Sequence, residues 1–221
     1  MKKIAEYRAF TSLYYRLALL GTFLLLTIIG VCVGLYLGVG GIFIIGAADV
    51  TVIVFSDYYI FAGVSARKQR GMEMIKASFC GYPFINKVLN TDLVIKALII
   101  LASFIGFIVA ITIDGDKDIV INSILFAIML FPLTGLSLRI VLIIARRVAV
   151  TLVAQIMITY LASIINTILC FILSAVLPLE SEHFTAACII LALVFEAASV
   201  LTAVFLKKDC LKGYKSGFYD I

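Results

Sequence analysis

Six stretches of this chain are apolar for about the 20 residues needed to cross a bilayer, and only short segments separate most of them. They run over 17–37, 42–64, 93–113, 119–142, 148–177 and 184–206. In hydrocarbon a lone chain segment can satisfy its backbone donors and acceptors only as a helix. The expectation is therefore an all-α integral membrane protein with six transmembrane helices. Composition agrees: 64% of residues are apolar, 14% are charged and mean hydropathy is +1.20. A soluble fold with those figures would leave large apolar areas facing water. With six spans in 221 residues no soluble catalytic domain fits, and the chain reads as one membrane domain over 1–221.

The charges then orient the spans. All but Lys117 of the 18 Lys and Arg lie before the first span, from Arg67 to Lys96 around the start of the third, from Arg139 to Arg147 around the end of the fourth, or after the sixth. The opposite face carries Asp114, Asp116, Asp118, Glu180 and Glu182. Basic loops stay in the cytoplasm, so both termini are expected there, in a multi-pass protein of the cell membrane. The net charge of +5 suits anionic lipid heads and needs no nucleic acid. Before the first span, Ile4, Tyr7, Phe10 and Tyr14 recur at helical spacing among Lys3, Glu6 and Arg8, which predicts an amphipathic helix on the membrane surface. The fifth apolar run, Val148 to Leu179, has no charged residue over 32 positions. As one helix at about 1.5 Å per residue it outruns a hydrocarbon layer of about 30 Å. It must tilt, project, or divide into a span and a re-entrant element.

Catalytic groups are missing from the pattern. Cys32, Cys80, Cys170, Cys188 and Cys210 never form CxxC, and His183 is the only histidine, so a zinc site is not expected. Cys80 and His183 fall on opposite sides of the bilayer, which excludes a dyad. His183 with Glu180 and Glu182 reads as a hydrated outer loop, the alternative being a weak external metal or proton site. Gly213 to Ser216 is too short for a phosphate-binding loop. No catalytic residue, metal or cofactor is assigned to this chain; if ATP drives it, another polypeptide binds the nucleotide.

Within the spans, Asp49 and Glu196 stand out, because an ionised side chain at mid-membrane costs about 3 kcal/mol or more. They line a substrate or proton pathway, or else Asp49 sits in a longer outer loop and Glu196 bonds a neighbouring helix. Arg139, near a helix end, can snorkel to the interface. Gly30, Gly34 and Gly38 form two overlapping GxxxG motifs, which let a helix approach closely within the chain or between subunits. Pro132 interrupts the fourth span and predicts a kink.

The longest polar segment runs from Ser65 to Asp92. From Met72, Ile75 and Phe79 recur on one side with Glu73 and Lys76 between them, a short amphipathic helix stopped by Gly81-Tyr82-Pro83. With Arg67, Lys68, Arg70, Gly71, Glu73, Met74, Ile75, Pro83 and Lys87 at their places, the segment resembles the cytoplasmic coupling region of type-2 ABC exporter permeases. The amino-terminal helix, six spans, basic tail and the GLSLRIVLIIARRVAV turn resemble that family too. The outer loops are shorter than in many of its members. The resemblance implies two such permeases, identical or sister chains, each docking a cytoplasmic ATPase that carries ATP and Mg. Arg67, Lys68, Arg70, Gly71, Glu73, Ile75 and Phe79 would form the ATPase-coupling helix, and the re-entrant element would fall in the fifth run. The implied cargo is amphipathic or hydrophobic. Two other classes fit six spans: the substrate-capturing component of a vitamin uptake system, and a non-transporting immunity or interaction protein.

Overall fold

The computed structural model describes residues 11, 13–65, 81–114, 117–148, 152–176 and 184–216. Six α-helices account for nearly all of them: α1 (Leu13–Leu37), α2 (Ile42–Ser65), α3 (Gly81–Asp114), α4 (Lys117–Val148), α5 (Leu152–Val176) and α6 (Phe184–Ser216). There is no strand among the described residues. Five helices are long and apolar enough to cross a membrane, and in α2 the apolar stretch is the shorter Ile42–Phe55. The chain is an all-helical, multi-pass membrane protein. The segment through Phe10 expected as an amphipathic helix, the segment from Arg67 to Phe79 expected to couple to an ATPase, and Glu180, Glu182 and His183 lie outside the described residues.

Boundaries follow local chemistry. The 3₁₀ turn Gly38–Gly41 joins α1 to α2, and Gly38 adopts φ of 56°, the left-handed region in which glycine ends helices without a Cβ penalty. Two boundaries differ from expectation. First, α3 begins at Gly81, not Leu93. Pro83 sits in its first turn, where a missing N–H costs nothing, so Gly81-Tyr82-Pro83 opens this helix. Its leading turns are amphipathic, burying Ile85, Val88, Leu89 and Asp92 while exposing Pro83, Lys87 and Asn90. Second, the fifth apolar run is neither one long helix nor a span with a re-entrant piece inside 152–176. Val148 closes α4, and α5 is a single helix of 25 residues, about 38 Å long, which a tilted span accommodates.

Helix α2 lies at the centre and packs against all five others, while the closest pairs are α1 with α3, α4 with α6, and α2 with α5. Ile42, Ile45, Asp49, Val50, Ile53 and Val54 of α2 are fully buried. Outer faces stay apolar, as with Ile156, Leu161 and Phe171 on α5 and Leu193, Leu201 and Phe205 on α6, which is the surface that lipid tails accept. Hydroxyls inside the spans donate to carbonyls of their own helix: Thr27 to Phe23, Thr51 to Ala47, Thr112 to Val109, Thr167 to Ser163 and Thr202 to Ser199. Where water is absent this removes an otherwise unmet donor.

The glycines of α1 explain its tight seat on α3. A Cβ built on Gly30 would stand 2.2 Å from the backbone oxygen of Ser103, and one on Gly34 would stand 2.7 Å from the Ala110 Cβ. In return, a Cβ on Gly106 of α3 would come within 2.9 Å of the Thr27 carbonyl oxygen of α1. Gly30 and Gly34 thus serve packing within the chain. Gly38 is not part of that contact, since a Cβ there would meet nothing; it belongs to the turn.

Candidate functional site

A cavity of about 70 Å³ lies between α3, α4 and α6. Its walls carry Lys96 of α3, Pro132, Gly135 and Arg139 of α4, and Glu196 and Ser199 of α6, set among Leu93, Ala97, Ile100, Phe131 and Leu138. The space arises from what α4 lacks at that level. Gly135 presents no side chain, and even a Cβ there would lie 3.4 Å from Ser199 Oγ. One water needs about 10–15 Å³ on this measure and two or more polar partners, so the cavity has room for several.

The polar groups are supplied by spacing within each helix. Glu196 and Ser199 stand three apart on α6 and so share a face. Arg139 Nη1 donates to Ser199 Oγ, tying α4 to α6, and the guanidinium lies in the field of the Glu196 carboxylate. Glu196 is exposed on the flank of the bundle while also lining the cavity, so the cavity opens sideways there. On the other wall Lys96 pairs with Asp92 at 2.6 Å, and each side chain is 1% exposed. Tyr15 Oη of α1 donates to Asp92 Oδ1 at 3.2 Å. A line of polar groups therefore crosses the bundle, from Tyr15 through Asp92 and Lys96 to the cavity, Arg139 and Ser199. Placed among apolar helices, these groups can hold a polar or charged moiety at a depth where hydrocarbon alone would reject it.

Asp49 lies elsewhere. It is mid-helix in α2, not in a loop, and 0% exposed. Ser103 Oγ is 2.6 Å from its Oδ2 and 2.7 Å from the Ile100 carbonyl oxygen. The structure does not bring Asp49 and Glu196 to one cavity: Glu196 lines it and Asp49 does not.

Several members of the site were not singled out from sequence. In sequence Lys96 falls in with the basic residues that lead into the third span, yet it is buried in α3. The spacing Asp92-x-x-x-Lys96 carried the signal, since residues four apart on a helix can pair. Arg139 reads in sequence as a residue that can snorkel, and Ser199 carries no signal at all. Among the described residues no group of three His, Cys, Asp or Glu side chains gathers as metal ligands would. No protein-family model, curated protein or solved structure matches this chain.

Proposed function

We propose that this chain is the membrane-spanning subunit of an ATP-driven exporter whose nucleotide is hydrolysed by a separate polypeptide. The observation that carries the reading is the charged, laterally open cavity inside an otherwise apolar bundle. Such groups are expensive in a membrane and mark pathways for polar or amphipathic cargo. In this reading α2 is the sixth span and both termini lie in the cytoplasm, as the one-sided distribution of Lys and Arg supports. Two copies, or one copy and a sister chain, enclose the pathway. The amphipathic segment from Met72 to Phe79 inserts Ile75 and Phe79 into a groove of the ATPase, while Arg67, Lys68 and Arg70 steer it there and Gly71 and Glu73 lead into the helix. Closure of the ATPase on ATP then shifts the bundle between two packings around the cavity. The cargo is amphipathic or hydrophobic, with its polar end met by Arg139 and Glu196.

Purification of the chain from its native membranes in mild detergent is expected to bring down an ATPase at equal stoichiometry. Its hydrolysis in reconstituted vesicles should depend on this chain, and Ile75→Asp or Phe79→Asp should abolish that dependence while leaving the helical content unchanged. Arg139→Gln and Glu196→Gln should retain the ATPase and slow transport about tenfold, equivalent to about 1.4 kcal/mol. Purification without any nucleotide-hydrolysing companion would overturn the assignment and leave a non-transporting membrane protein.

A further inference from the structure

Apart from the cavity, a second polar cluster lies where α2, α4 and α5 meet. Thr134 of α4 is 0% exposed and Asn166 of α5 is 1% exposed. Thr134 Oγ1, Asn166 Oδ1 and Asn166 Nδ2 have no hydrogen-bond partner among the described residues. The two side chains converge on Gly46 of α2, where a Cβ would stand 2.9 Å from Thr134 Oγ1 and 3.0 Å from Asn166 Nδ2. Thr134 also departs from Thr27, Thr51 and Thr167, which donate to carbonyls one turn back in their own helix. Buried beside an amide that also lacks partners, Thr134 is placed to share a ligand with Asn166.

We infer that α2, α4 and α5 enclose a binding site for one water molecule over Gly46, held by Thr134 and Asn166. The donor and acceptor count selects the ligand. The occupant must accept from the Thr134 hydroxyl and the Asn166 N–H, and must donate to the Asn166 oxygen. A cation would face the amide N–H and an anion the amide oxygen, whereas water meets all three. Interchanging the amide nitrogen and oxygen leaves the requirement the same. Gly46 is the residue that lets both side chains seat against α2, since a Cβ there would crowd Thr134 Oγ1 and Asn166 Nδ2. The site holds whether or not the chain serves an exporter.

The sign of a stability change tests this. With water bound, Asn166→Leu and Thr134→Val each strip partners from it, and each lowers the melting temperature of the purified full chain by about 2–4 °C or more. If the site is dry, each change removes an unmet polar group from the interior, and the melting temperature rises. A structure of the unaltered protein that resolves solvent provides the second measurement, needed if a variant fails to fold. A solvent peak over Gly46 within about 2.7–3.2 Å of Thr134 Oγ1 and the Asn166 amide is expected. A rise in melting temperature, no peak, or the two side chains bonded directly to each other would overturn the inference.

Discussion

Gly30→Ala is expected to lower the melting temperature in detergent by about 4–10 °C, whereas Gly21→Ala leaves it unchanged or slightly higher. Both glycines are in α1, and both substitutions add one methyl group to a helix interior. A Cβ at Gly21 meets nothing within 4 Å, so alanine there gains the usual advantage over glycine of about 0.5–1 kcal/mol. At Gly30 the new carbon falls 2.2 Å from the Ser103 oxygen and 3.1 Å from its carbonyl carbon. That neighbour is backbone and cannot rotate away, so α1 and α3 must separate by about 1 Å to restore ordinary contact. The separation loosens the paired contacts of Gly34 with Ala110 and of Gly106 with Thr27, and it disturbs Ser103, which holds Asp49. Overpacking of this kind costs about 1–3 kcal/mol, and in a chain of this length each kcal/mol is worth about 2–4 °C. Gly34→Ala should show a smaller drop, because its obstacles, the Ala110 Cβ at 2.7 Å and the Phe107 carbonyl oxygen at 2.9 Å, are less close than the 2.2 Å at Gly30. Equal melting temperatures for Gly30→Ala and Gly21→Ala would show that α1 does not rest on α3 through this contact.

The second large effect concerns Asp92 and Lys96. Lys96→Met takes from the Asp92 carboxylate its 2.6 Å ion pair at a site 1% exposed, and Asp92→Leu takes the same pair from the ammonium. Removing one partner of a buried pair costs about 3–5 kcal/mol, while replacing both with apolar residues of similar size is often neutral or stabilising. The expected result is two unstable single variants and a double variant, Asp92→Leu with Lys96→Met, close to the parent in melting temperature. Tyr15→Phe removes one hydrogen bond and should cost about 0.5–1.5 kcal/mol. Additive losses in the double variant would mean that the two charges are not coupled, contrary to the geometry. Because Lys96 also lines the cavity, the stable double variant offers a folded protein with one wall of that cavity made apolar.

Much of the fold was legible because hydrocarbon is a demanding solvent. The apolar runs locate α1, α2, α4, α5 and α6 to within a few residues at most ends, and the pair Gly40–Gly41 announces the turn between α1 and α2. The start of α3 was obscured by the same rule. Asp92 and Lys96 look like the polar edge of a loop when each is weighed alone, yet one turn of helix sets them against each other and lets α3 extend back to Gly81. Glu196 was legible as an unusual residue, but its setting was not. Arg139 lies 57 positions before it and Ser199 another three beyond, and nothing local says that α4 and α6 will press their faces together. Asp49 looked equivalent to Glu196, although tertiary packing gives it Ser103 as a partner and keeps it away from the cavity. Thr134 and Asn166 are ordinary polar residues in a hydropathy profile; only their convergence on Gly46 makes them notable.

The arrangement of contacts constrains how this bundle can change shape. Glycine-to-backbone contacts weld α1 and α3 into one unit, and the bond from Arg139 to Ser199 clips α4 and α6 into another. The cavity lies along the join between these units, with α2 touching both. To widen it is to slide one preassembled half past the other, using α2 as the axle, while leaving each half internally intact. A cross-link between Ala97 and Leu138, which face that join, would stop such a stroke without altering either half.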